Sequence, residues 1–286
     1  MKTIDLNVDI GEGFAYDREL LAIASSANIC CGVHAGSSTL TENAVRDCIE
    51  NGIRIGIHPG YPDRDSMGRS SLPSNQHRKY LDSILEQIRG FVLRYPASYI
   101  KPHGGFYNDL SVPLDLGWDS MVKNPGSKSP YEAGGQALSK VPGTGVLILS
   151  LRIYKLAFLG LAHTMHSEIA KRAGVPFISE GFADRRYMED GRLMPRSEPG
   201  AVITDVSELV EQGLQLAESC DSLCIHGDTG NAVLLARKLR ESLERNDYVI
   251  SAGEFVHDPG SVRAHAPELK IIVDLGTNEK SASEPL

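Results

Sequence analysis

The sequence predicts an α/β protein built on parallel strands. Two observations carry this: short β-branched runs alternate with helix-period segments, and the chemically unusual residues sit directly after the strand segments. Such alternation covers a mainly parallel sheet with helices. Seven or eight such units in 286 residues point to a barrel, although element order alone does not exclude an open sheet.

Residues 3–8 alternate polar and apolar and read as the first strand. Residues 17–24 read as a short helix with Asp17 as N-cap, and 26–30 as a second strand. A helix over 39–51 ends at Gly52, and 53–57 follows as the third strand. Tyr80, Ile84, Ile88 and Phe91 share one helical face within 75–95, which Pro96 closes, and 98–101 is the fourth strand. Residues 111–145 are rich in Gly, Pro, Ser and Lys, hold the single tryptophan, Trp118, and read as a surface excursion. Val146, Leu149, Ile153 and Leu156 have helical spacing, yet 146–151 could equally be a strand. Further strands are expected at 175–179, 201–203 and 222–225, with helices near 165–173, 206–219 and 230–244. No linker divides the chain, so 1–286 reads as one domain with an unassigned tail.

Twenty-nine basic against 37 acidic residues give a net charge of −8, which argues against nucleic acid or an anionic membrane as partner. The most apolar stretch, 146–165, is broken by Arg152 and Lys155 and is no membrane span. Five cysteines in no disulfide or zinc spacing, and an acidic N-terminus without a signal-type apolar region, predict a cytoplasmic protein. The adjacent pair Cys30 and Cys31 reads as buried rather than reactive.

In a strand, residues two apart share a face, so Asp5, Asn7 and Asp9 point the same way. Three polar groups facing a barrel interior are costly unless they serve a site; the alternative is a solvated edge strand. His34, His58, His103 and His226 each follow a strand segment with a glycine within two residues. Strand C-termini of a parallel barrel converge on one mouth, so these histidines, with Asp184, are expected around one concavity. His77, His163, His166, His257 and His265 read as structural. Neither a GxxxxGK[ST] phosphate loop nor a GxSxG elbow occurs.

Six segments, DLNVDIGEGF (5–14), SSANICCGVHAG (25–36), IGIHPGYPD (55–63), KPHGGFYND (101–109), EGFADRRYMEDGRLMPRSEPGAVITD (180–205) and CIHGDTGNAVLLARKLRESL (224–243), together resemble the LamB/YcsF family. The resemblance implies a distorted (β/α) barrel of the glycoside hydrolase/deacetylase type with roughly seven parallel strands. It implies ATP-dependent opening of 5-oxoproline to L-glutamate, carried out with two partner subunits, ATP being consumed by the complex. It also places a strand at 156–162 and makes 146–153 the preceding helix. The chain departs from the family pattern in its longer 111–155 region, a shortened approach to CIHGD, and the tail after Ser251.

A lactam carbonyl is a poor electrophile, so opening it requires activation, a delivered water and a proton for nitrogen. On this reading Asp9 or His103 is the general base, with Glu12 and Asp184 as orienting carboxylates. Lys101 and Arg185 would neutralise a substrate carboxylate or phosphoryl group. Asn7, His34, His58, His226 and Asp228 complete the expected substrate contacts. Lys101 could instead form a structural ion pair with Asp9 or Glu12. Two rival readings remain open: a metal-dependent deacetylase-like hydrolase using His34, His58, His103 and Asp9, and a non-catalytic binding or regulatory subunit.

Overall fold

The computed structural model describes residues 2–111 and 141–253. Its centre is a closed barrel of seven parallel strands: β1 (Lys2–Ile10), β2 (Ser26–Cys30), β3 (Arg54–His58), β4 (Tyr99–Ile100), β5 (Ala157–Leu161), β6 (Phe177–Phe182) and β7 (Ser222–Ile225). Each strand pairs with the next, and β1 closes the ring: Asn7–Ile10 lie beside Ser26–Ile29, and Asp5–Val8 beside Ser222–Ile225. A short β8 (Tyr248–Ile250) adds in parallel to the first residues of β1, Lys2 to Ile4.

The helices lie between the strands in sequence: α1 (Asp17–Leu21), α2 (Ser38–Asn51), α3 (His77–Val92), α4 (Gly104–Leu110), α5 (Thr144–Tyr154), α6 (Met165–Ala173), α7 (Val206–Leu216) and α8 (Ala232–Arg245). Local chemistry fixes several ends. Ser37 Oγ accepts from the Leu40 amide and caps α2, whose other end is closed by Gly52 at φ +65°. Ile4, Leu6, Val8 and Ile10 of β1 join one large apolar core with Leu235, Leu239 and Leu243 of α8. The alternate residues Asp5, Asn7 and Asp9 are also buried, so β1 is buried on both faces, as a barrel strand must be.

Inside the barrel, Tyr99, Ala157, Leu159 and Ile178 form a separate apolar cluster. Gly56 on β3 makes room for it, since a Cβ there would lie 2.1 Å from the Tyr99 ring. Toward the mouth, Tyr107, Leu161, Phe182 and Cys224 form a second apolar cluster, and the interior along β1 is polar.

The structure departs from the sequence expectations at three places: 201–203, α4 and β8. Residues 201–203 are not a barrel strand: Val202 forms only an isolated antiparallel bridge to Arg185, because 183–203 folds back on itself as one loop beyond β6. Residues 146–153 lie within α5, the helix expected from the resemblance, which settles the alternative of a strand at 146–151. Both α4 and β8 are additional to the expected elements. Most of the Gly/Pro-rich excursion, with Trp118, and the tail after 253 fall outside the described residues.

Candidate active site at the barrel mouth

The polar interior is stacked in layers along β1. At the base, the Asp5 carboxylate accepts hydrogen bonds from Ser25 (2.7 Å), Ser26 (2.7 Å) and Ser222 (2.6 Å) and pairs with Arg54 (3.1 Å). One layer up, Asn7 Oδ1 accepts from Asn28 Nδ2 (2.7 Å) and Lys101 Nζ (3.1 Å), while Asn7 Nδ2 donates to Ser222. Asn28 Oδ1 accepts from the Tyr99 hydroxyl at 2.7 Å.

Above these lies Asp9. Its Oδ1 accepts from Asn28 (2.7 Å) and Lys101 (3.1 Å), and its Oδ2 lies 3.4 Å from His58 Nε2 and 3.7 Å from His226 Nε2. Burial alone would raise the Asp9 pKa, but His58 and Lys101 hold it well below the usual carboxylate range. Lys101 is fully internal: Nζ also lies 2.8 Å from Glu180 Oε1 and 3.0 Å from Cys224 Sγ. Burial opposes its charge, but Asp9, Cys224 and Glu180 keep its pKa well above the ordinary value. Glu180 Oε2 accepts from the Tyr107 hydroxyl, and burial raises the Glu180 pKa despite Lys101.

Over this floor opens a cavity of about 370 Å³. His226 stands on its wall, immediately after β7. Its Nδ1 is 3.0 Å from both oxygens of buried Asp184, and its backbone amide donates to Asp184 Oδ2. Burial would raise the Asp184 pKa, but His226 lowers it; the ionised carboxylate fixes a proton on His226 Nδ1 and turns Nε2 toward Asp9 and the cavity. Arg69 and Arg196 both pair with Asp228. Arg185 makes no carboxylate contact of that kind among the described residues; its Nη2 donates to the Met194 carbonyl and its Nε is buried without a hydrogen-bond partner. Burial, then neighbouring Arg196, lowers the Arg185 pKa to about 10, which still leaves it charged.

A histidine cluster completes the floor. His103 Nδ1 lies 2.9 Å from His58 Nε2 and 3.2 Å from Glu12 Oε1. His34 stacks on His103 with centroids 3.9 Å apart and places Nε2 3.2 Å from Glu12 Oε1. Burial and the two neighbouring imidazoles push the His103 pKa well below normal, so the ring is neutral. Gly104 and Gly105 let the 61–76 loop close over this floor: Cβ atoms would lie 2.6 Å from the Gly68 carbonyl and 2.0 Å from that of Ser70.

Of the residues singled out in the sequence, Asp9, Glu12, His58, Lys101, His103, Arg185, His226 and Asp228 line the cavity. Asn7, His34 and Asp184 do not; each lies behind it, bonded to a residue that does. Substrate contact through Asn7 or His34 is therefore replaced by support of Lys101 and Glu12. The donors of Lys101 are taken up by Asp9, Asn7, Glu180 and Cys224, which makes it a strut rather than an anion anchor. A depressed pKa makes Asp9 a poor general base. Sequence reasoning missed Glu180, Arg69 and Arg196. A charged residue within the strand FISEGF was the available signal for Glu180; Arg69 lies in irregular chain and had none. Burial raises the Cys30 thiol to about 12 and that of Cys31 well above normal, so neither is a thiolate. His166 is structural: Nδ1 accepts from the Leu161 amide and Nε2 meets the Tyr107 carbonyl.

The model of the LamB/YcsF family matches residues 4–118 and 147–257. The chain belongs to the LamB/YcsF family. Its relatives include a 5-oxoprolinase subunit of Haemophilus influenzae (strain PittEE), 35% identical over 274 residues, covering 88% of this chain and 100% of the relative. The corresponding 5-oxoprolinase subunit from Histophilus somni (strain 129Pt) is 32% identical over 272 residues, covering 88% and 99%. The crystal structure of the lactam utilization protein from Thermus thermophilus superposes with a TM-score of 0.65 at 27% identity, covering 88% of this chain and 100% of that one. The (β/α) barrel expected from the family is thus the fold observed. No helix among the described residues is long and apolar enough to cross a membrane.

Proposed function

We propose that this chain supplies the hydrolytic pocket of an ATP-dependent 5-oxoprolinase, working with two partner subunits. The observation that carries the reading is an oriented histidine, His226 on Asp184, sharing one cavity with Arg185, which forms no carboxylate ion pair among the described residues. The alignment with the full length of a 5-oxoprolinase subunit supports 5-oxoproline as the substrate. 5-Oxoproline carries one carboxylate and one lactam. Arg185 binds the carboxylate, and its buried, desolvated guanidinium makes that contact strong.

Phosphoryl transfer from ATP to the lactam oxygen makes the ring carbon attackable. Nucleotide handling belongs to the partner subunits, in keeping with a sequence that has no phosphate loop. A first water then adds to the carbon, its proton passing to His226 Nε2. The C–N bond breaks as the nitrogen takes a proton back, leaving an acyl phosphate. A second water releases phosphate and gives glutamate. Asp184 holds His226 in the required tautomer throughout, and the Lys101–Asp9–Glu180 strut keeps the floor rigid.

The test is reconstitution. The chain alone and the chain with the other two subunits are assayed for glutamate formed from 5-oxoproline, with and without ATP. Glutamate should form only with all subunits and ATP. Robust turnover by the chain alone, or none in the full assembly, contradicts the reading.

A further inference from the structure

The histidine cluster has an electrostatic problem that the lactam chemistry does not use. His58 Nδ1 lies 2.8 Å from the Lys101 carbonyl oxygen, and His103 Nε2 lies 2.8 Å from that of Met67. A carbonyl only accepts, so each of these nitrogens carries the proton. With those two positions taken, the remaining nitrogens, His58 Nε2 and His103 Nδ1, face each other at 2.9 Å, lone pair to lone pair unless a further proton or a cation sits between them. Glu12 Oε1 closes a triangle with them, 3.2 Å from His103 Nδ1 and 3.9 Å from His58 Nε2. Three acceptors at that spacing repel unless a cation lies among them.

The triangle has the dimensions of a coordination face. Ligand bonds of about 2.1 Å meeting at about 90–110° give edges of about 3.0–3.4 Å, and the observed edges of 2.9, 3.2 and 3.9 Å bracket that span. The surroundings are those of a metal site. Both imidazoles are oriented by a backbone carbonyl on the far nitrogen. Glu12 is held from behind by His34 Nε2 at 3.2 Å, and Asp9 Oδ2 lies 3.4 Å from His58 Nε2 as a further donor. Glu12, His58 and His103 all line the cavity, so an ion there would face its contents.

We propose that Glu12, His58 and His103 form a binding site for one divalent transition metal of the zinc class, with Asp9 as a fourth donor in reach. Two imidazoles and a carboxylate suit zinc, cobalt or nickel better than magnesium or calcium, which prefer oxygen throughout. The ion would polarise an oxygen held in the cavity. The neighbouring group of Asp9, Cys224 and His226 also brings ligand atoms together, but Lys101 Nζ touches both Asp9 and Cys224 and repels a second cation. His34 is assigned to support rather than coordination, because its ring lies parallel over His103 and cannot share an in-plane ion with it.

The experiment uses the full chain, stripped with a chelator and dialysed. Zinc is titrated calorimetrically, and cobalt(II) by its visible absorption. One saturable equivalent and a cobalt d–d spectrum are expected. Glu12→Gln, His58→Asn and His103→Asn should each weaken binding at least about tenfold. His163→Asn, at an exposed histidine, should leave affinity unchanged. A proton shared by His58 and His103 would answer the same repulsion, and it predicts no saturable binding and no cobalt spectrum; that result overturns the proposal. Binding that survives all three ligand substitutions at wild-type affinity overturns it as well. The wild-type titration decides alone if a variant does not fold.

Discussion

Asp5 and Asp9 stand four residues apart on the same strand and the same inward face, yet they do different work. Asp5 is closed in by three serine hydroxyls and Arg54, and it does not line the cavity. Asp9 meets Asn28, Lys101, His58 and His226 and forms part of the cavity floor. The base of the barrel uses charge to hold strands together. The mouth uses it to arrange groups around a space. Strand parity places both side chains inside and says nothing about which end is open.

The largest test of this division is at the mouth. His226→Asn should lower the turnover of the reconstituted assembly by about 10²–10⁴-fold, with the unfolding midpoint near wild type. A comparable loss of stability would show the wall to be structural like the base. Next comes the strut between the two. Lys101→Met leaves Asp9 and Glu180 without their cation and should cost about 3–5 kcal/mol in denaturant unfolding. A near-neutral result would mean that the two carboxylates are not both charged.

At the base, Asp5→Asn keeps the shape but removes the charge that meets Arg54, and should cost about 1–3 kcal/mol. Turnover per folded molecule should not change; a large kinetic defect would erase the distinction between the layers. The last test, read as a slope with pH, concerns a histidine in neither layer. Burial lowers the His166 pKa to about 3, against about 6.5 when unfolded. The unfolded chain therefore binds the extra proton between these values, so stability rises with pH across that window and is lost as pH falls below about 6.5. The slope is about 1.4 kcal/mol per pH unit. Urea midpoints across this range should show it, and His166→Asn should remove that proton's share.

Much of the barrel was legible because alternation and glycine-flanked strand ends are local signals. The histidines at 34, 58, 103 and 226 gather at one mouth for the reason their positions after strands suggested. What escaped was set by distant partners. Glu180 matters because Lys101 reaches it from another strand, and Asn7 turns from ligand to support because Lys101 and Asn28 occupy its oxygen. The glycines at 104 and 105 open α4 and admit the backbone of the 61–76 loop. Residues 201–203 have strand composition, but no neighbouring barrel strand lies beside them, so composition alone misled. β8 is three residues long, too short to show a period.

The ring closure of β1 has a consequence for how the protein is made. Ser222 Oγ reaches Asp5 across 217 positions of sequence, and Tyr248 to Ile250 settle beside Lys2 to Ile4. β1 is thus secured by elements that leave the ribosome well after it. During synthesis the opening strand, carrying Asp5, Asn7 and Asp9, has β2 to pair with early but must wait for β7 and β8 on the remainder of its length. Non-local pairing of this kind slows folding and leaves strand edges exposed for longer. Three acidic or amide side chains on that waiting edge keep it hydrated, so the same residues that later build the barrel's polar column discourage nascent chains from sticking to one another.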